Sequence, residues 1–234
     1  MPLLVYCIAE AGSKIEIPPC GVQGASLRTL IESGLICFLS DYDPSVGGNH
    51  VRDAALNFNR VLQELLRQAA ILPFRFPTLL ADESEIRGVL QQHASEYRDA
   101  LGRLRDVLQV EITLTLSHPP QPEDSGKKYL LSRQHSNRTL ADAADAIHQQ
   151  LGAHIQDWRL HQSSNATRCY MLVSRDDLKR IFEKVRELKI SSDLRARVTG
   201  PWPATDFIAL PLSEGEKSPS ANQPVPSSTE KNYG

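Results

Sequence analysis

Between positions 110 and 198 the spacing of apolar residues switches from two to 3.6 and back, in the order strand, helix, strand, strand, helix, strand. That order restricts the fold more than any single residue does. Val110, Ile112, Leu114 and Leu116 alternate with polar neighbours, as a half-buried strand requires. Over 127–151, Leu131, Leu140, Ala143, Ala144, Ile147 and Leu151 follow a helical period. Thr139 with Asp142 offers a second capping signal, and with it an alternative in which this helix is broken near Ser136. Strands over 154–161 and 168–173 flank Ser163-Ser164-Asn165, which is turn chemistry. Ser174 and Asp177 then cap a helix carrying Leu178, Ile181, Phe182, Val185 and Leu188, and a strand over 194–198 closes the set. A β-α-β-β-α-β order is the ferredoxin-like pattern, a four-stranded antiparallel sheet with two helices on one face.

The first half follows a different grammar. Residues 3–9 form a short apolar run and read as a strand. Segments 26–31 and 35–40 read as a hairpin around Glu32-Ser33-Gly34. A loop over 41–49 follows, with Asn49 as a helix N-cap. Val51, Ala54, Ala55, Phe58, Val61, Leu62, Leu65, Leu66 and Ala69 then trace one helical face. Pro73 and Pro77 forbid a helix over 71–78 and leave a short extended edge piece. Asp82 with Glu85 opens a long helix that is expected to reach about residue 107. The expected fold class is α+β, with two small α/β subdomains. These are an N-terminal unit over 1–108 and a ferredoxin-like unit over 109–212. Residues 213–234 hold five Ser, three Pro and one branched aliphatic residue, Val225, and are expected to be disordered.

Several function classes lack their chemistry. The net charge of -2 supplies no chain-wide attraction to nucleic acid or anionic membrane. No apolar run approaches the ~18 residues of a bilayer span. No basic residue precedes the N-terminal apolar stretch, so no secretory signal is expected. Cys7, Cys20, Cys37 and Cys169 form no C-x-x-C pair and read as thiols in a reducing cytoplasm. No P-loop, nucleophile elbow, dinucleotide fingerprint or H-E-x-x-H helix is present. Gly47-Gly48 before a helix reads as a plain loop, not an anion cradle. His154 and His161, seven apart on one strand, face opposite sides and cannot share a metal. RNA-binding domains of this architecture stack bases on central-strand aromatics, and here only Tyr170 is on offer. The arginines over 87–105 are interleaved with Glu85, Glu96, Asp99 and Asp106, a mixed-charge face. The expectation is therefore no enzyme, no cofactor, no metal, no nucleic-acid partner and no membrane.

Two patches stand out. Arg75 lies between Phe74 and Phe76 in a proline-bracketed apolar run. It is either an edge arginine that meets water or locks the loop, or part of a protein-binding surface. In Thr199-Gly200-Pro201-Trp202-Pro203 and on to Phe207, the two prolines hold the chain extended and present Trp202. Trp202 either plugs the junction between the halves or anchors a partner.

These patches also carry a resemblance. Leu72-Pro-Phe-Arg-Phe-Pro-Thr78 resembles the "LP-x-R-F-G-T" segment of the gas vesicle protein F/L family. Thr199-Gly-Pro-Trp-Pro203 followed by Phe207 resembles its "TGPWPPYSF" ending. Tyr6 in the first strand and Gly126-Lys-Lys-Tyr-Leu130 fit as well, so the resemblance covers about residues 3–209. Pro77 stands where the family has glycine, and Ala204-Thr205 where it has Pro-Tyr. The resemblance implies a two-domain α+β protein of gas vesicle biogenesis, located at the gas vesicle and in the cytoplasm. It implies an assembly accessory or minor component that binds the hydrophobic shell-forming subunit, with other gas vesicle accessory proteins as further partners. Arg75, Phe76, Gly200, Pro201, Trp202, Pro203 and Phe207 are then its signature residues, structural or partner-binding. The alternative is a regulatory module that binds a small molecule in the cleft between the halves.

Overall fold

The computed structural model describes residues 1–47, 51–118, 126–163 and 166–208. The expectations for Gly48, Asn49, Ser164, Asn165 and the segment 213–234 lie outside those residues, as does most of the loop after His118.

Two antiparallel sheets form the frame. In the first, β1 (Leu3–Glu10) lies between β3 (Leu35–Asp41) and the short β4 (Leu72–Pro73), and β2 (Arg28–Glu32) pairs outside β3. A second short strand, β5 (Leu79–Leu80), also pairs with β1. Residues 3–9 are buried without interruption, because this sheet is covered on both faces. A bulge between Val5 and Cys7 in the β1–β3 register shifts the alternation by one. Leu4, Tyr6, Cys7 and Ala9 thus face one hydrophobic cluster, and Leu3, Val5 and Ile8 face the other. The hairpin between β2 and β3 turns on Ser33 and Gly34, at φ 52° and 79°. Positive φ at both central positions is what a two-residue hairpin needs.

Helix α1 (Val51–Leu66) buries Phe58, Val61, Leu62, Leu65 and Leu66 against the first cluster. The opposite face is covered by two helices where one long helix was expected. They are α2 (Glu83–Gln92) and α3 (Ala94–Leu104), with His93 leaving helical geometry at φ -111° and ψ 15°. The break lets Ile86 and Leu90, then Tyr97, Ala100 and Leu101, all join the second cluster. Asp82 caps α2, accepting from the backbone of Ser84 and Glu85, and Glu85 reaches back to the Ala81 N–H.

The second sheet has the order β7-β8-β6-β9, from β6 (Val107–Leu116), β7 (Asp157–Gln162), β8 (Ala166–Ser174) and β9 (Leu194–Trp202). Helices α4 (Gly126–Leu151) and α5 (Leu178–Glu187) complete the ferredoxin-like arrangement. Three local expectations change, and the alternative of a broken α4 falls away. Strand β6 starts at Val107, where a helix end was expected. Helix α4 runs unbroken through Ser136, because Thr139 bonds back to the His135 carbonyl instead of capping a new start. The chain makes a tight turn over Gly152–His154, so β7 starts only at Asp157. Asp177 makes no side-chain cap on α5 and instead sits 3.4 Å from Arg180. The first hydrophobic cluster draws on both halves, joining Phe58, Leu62 and Leu65 to Leu108, Val110 and Ile181.

Candidate functional site

The segment 71–80 completes the free edge of β1. Phe74 donates its N–H to the Tyr6 carbonyl at 2.9 Å, and Val5 donates to Thr78 at 3.0 Å. Thr78 Oγ1 closes the intervening bend on the Arg75 carbonyl at 2.6 Å. This bend splits the two phenylalanines: Phe74 packs against the second cluster and Phe76 against the first. Phe76 tilts against Phe58 at 5.1 Å between centroids, and Phe58 stacks on Tyr6 at 5.0 Å. The Tyr6 hydroxyl accepts from Val22 N–H at 2.8 Å and meets Ser40 Oγ at 3.1 Å. Burial raises the Tyr6 pKa, with Ser40 and Val22 opposing the rise. Arg75 is exposed, and Pro77 follows a cis peptide bond.

The second signature continues the edge strand. Gly200, Pro201 and Trp202 belong to β9, with Trp202 opposite Gln109 across a bulge. Gly200 sits at φ +121°, and a Cβ there would lie 2.9 Å from the Gln109 carbonyl oxygen. Only glycine fits both the dihedral and the space. Trp202 is half-buried, and its indole N–H donates to Thr199 Oγ1 at 3.2 Å. Ala204 is buried, and Phe207 packs against the second cluster. Arg159 of β7 donates to the Asp206 and Phe207 carbonyls, with its guanidinium 5.0 Å over the Phe207 ring. Gln109 donates to Asp206 Oδ2 at 2.6 Å.

The two signatures do not form one constellation. Both contact α1, Phe76 through Phe58 and Pro201 through the Gln63 amide, which donates to its carbonyl at 3.0 Å. Sequence reasoning missed Gln109, Asp206, Arg159 and Arg175. A glutamine inside the apolar run of β6 was the one available signal. Arg175, after β8, donates to the carbonyls of Leu66 at 2.9 Å, Ala69 at 3.1 Å and Arg105 at 3.2 Å. It thereby satisfies carbonyls at and just beyond the C-terminus of α1 from the other half of the chain. Desolvation lowers its pKa, and the Asp106 carboxylate opposes that shift. A groove of about 380 Å³ beside it is lined by Glu10, Arg67, Arg105 and Asp106 among others, and Arg105 is paired with Glu10 at 2.9 Å.

Burial pushes the Cys37 and Cys169 thiols up to about 12, and Cys7 well above its usual range. Cys20 is exposed. Among the described residues no three His, Cys, Asp or Glu side chains gather to hold a metal. No described helix is long and apolar enough to cross a membrane.

The crystal structure of the gas vesicle protein GvpF from Anabaena sp. PCC7120 is similar, with a TM-score of 0.68 and 14% identity, over 89% of this chain and 97% of that one. That of GvpF from Microcystis aeruginosa gives a TM-score of 0.70 and 13% identity, over 84% and 94%. At such identities the likeness establishes the fold. No curated protein matches the sequence significantly. The model of the family described as "Gas vesicle synthesis protein GvpL/GvpF" matches residues 2–209. With both signatures inside that span, this chain belongs to the GvpL/GvpF family of gas vesicle synthesis proteins.

Proposed function

We propose that this protein is an assembly accessory that binds the hydrophobic shell-forming subunit of the gas vesicle and limits its aggregation before incorporation. The family match over residues 2–209 carries the reading. Its physical logic is direct: a subunit that exposes apolar surface before assembly needs a transient partner. Apolar side chains are available for that contact. Val46, Val51 and Leu56 around the start of α1 are each 58% exposed, and Leu130 and Leu131 on α4 are 66% and 57% exposed. Release at the growing shell favours micromolar affinity, about -8 kcal/mol. In this reading residues 1–108 and 109–212 act as two α+β units on a shared core. Arg75 and the half-buried Trp202 touch the partner, while Phe76, Gly200, Pro201, Pro203 and Phe207 shape the surface. The protein works in the cytoplasm and at the vesicle, without nucleotide or metal.

Co-expression tests this. The tagged protein should retain the shell subunit through washing at high salt, and retention should fall when Leu56 and Val51 are replaced by Asp. Failure of the wild-type protein to retain the subunit under any salt condition would count against the proposal.

A further inference from the structure

The open face of the second sheet, opposite α4 and α5, carries a row of basic groups. Strand register places His161, Arg168, Thr113 and Arg197 side by side across β7, β8, β6 and β9. Arg195 follows two residues along β9, opposite Thr115. On β6, Ile112 and Leu114 are fully buried, so their odd-numbered neighbours face the open side. His161, Arg168, Arg195 and Arg197 are all exposed. Two acids share this face: Asp157 at the far end of β7, 4.0 Å from Arg159, and Glu111 beside Arg168. Glu111 is the nearer to the row. Glu111 accepts from Thr113 Oγ1 at 2.9 Å and lies 3.7 Å from Arg168. Among the described residues, Arg195 and Arg197 make no ion pair or side-chain hydrogen bond. Strand β9 is also the edge of its sheet, and no other described element bonds to the backbone of 195–199 from the outer side.

We propose that β9 docks an extended acidic segment of a partner protein, one with Asp or Glu at alternate positions, as an added edge strand. An unpaired strand edge supplies the main-chain donors and acceptors for such an addition. Side chains two apart on a strand share a face, so alternate carboxylates would stand in register with Arg195 and Arg197. Opposite charges paired directly across strands are favourable. The guanidinium fork matches a carboxylate in two parallel hydrogen bonds. A polynucleotide fits less well. It would meet the Glu111 carboxylate in the middle of the face, and Tyr170, the one central-strand aromatic on that side, is half-buried. This inference is independent of the shell-subunit reading, which relies on apolar contact.

The test uses the full-length protein and a fluorescein-labelled peptide of about eight residues, alternating Glu and Thr, a typical strand length. Anisotropy should show saturable binding that weakens about tenfold from ~50 to ~500 mM salt, because screening acts on exposed charge pairs. The Arg195→Gln, Arg197→Gln double variant should fold as the wild type does, since both side chains are exposed, and should bind about tenfold more weakly. Backbone amide shifts should concentrate at 194–199. Equal binding of a Gln-for-Glu peptide, or undiminished binding by the double variant, would overturn the proposal. So would an oligo(U) that displaces the peptide at lower concentration, which would make the face an RNA site. Binding that appears only in a Glu214→Gln, Glu216→Gln chain would overturn it too, since the wild-type edge would then not be open to a partner. No binding at all would likewise overturn it, and the two arginines would then be charges that keep β9 from pairing with other edges.

Discussion

Gln109 Nε2 lies 2.6 Å from Asp206 Oδ2, so a buried amide of β6 holds the turn that follows β9. Gln109 is 3% exposed, and its Oε1 has no partner among the described residues. Asp206→Ala would strand the amide N–H2 as well, a loss of about 1–3 kcal/mol. Gln109→Leu removes both polar atoms together and should cost less, or stabilise. Urea midpoints of the two variants check this; a costlier Gln109→Leu would contradict it.

Trp202 is half-buried, so Trp202→Ala should cost about 1–3 kcal/mol, less than the 3–5 of a fully buried aromatic. Gly200→Ala should cost a similar amount, about 1–3 kcal/mol for strain at φ +121°, with the added crowding of a Cβ 2.9 Å from the Gln109 carbonyl. Denaturation midpoints read both. An unchanged midpoint in Trp202→Ala, with shell-subunit retention lost, would mark Trp202 as a binding anchor only.

Tyr6→Phe removes the acceptor of the Val22 N–H and the partner of Ser40 Oγ, all inside the core. Leaving that donor unsatisfied should cost about 1–3 kcal/mol. A phenylalanine variant as stable as the wild type would show that the hydroxyl contributes nothing net.

Raised thiol pKa values give a pH prediction. Cys37 and Cys169 stand near 12 when folded and Cys7 well above its ordinary value, against about 8.5 in the unfolded chain. The unfolded state therefore loses these protons first. The contribution is fully present below pH about 8.5 and falls away as pH rises toward 12. Under native conditions at pH ~8, a disulfide reagent should modify Cys20 rapidly and the three buried thiols only on unfolding. Rapid reaction of all four would contradict the burial.

What the sequence disclosed was local periodicity confirmed by distant pairing. The alternation of Val110, Ile112 and Leu114 and the helical face from Phe58 to Leu66 both lie where their patterns placed them. The break at His93 was hidden, because one apolar stripe runs through both α2 and α3 and no Pro or Gly marks position 93. Trp202 was legible as unusual but not as strand, since prolines on both sides argue against a ladder that the edge of a sheet tolerates. Arg175 was invisible: its three carbonyl partners come from 66–105, and no local pattern encodes contacts that distant.

Light scattering of the diluted shell subunit, with and without a several-fold excess of this protein, from about 50 to 500 mM salt, reads the proposed shielding itself. Aggregation should be delayed without ATP or metal, with only a modest change across the salt series, because apolar burial is not screened. Unaltered aggregation in the presence of folded protein, or a strict ATP requirement, would contradict the proposal.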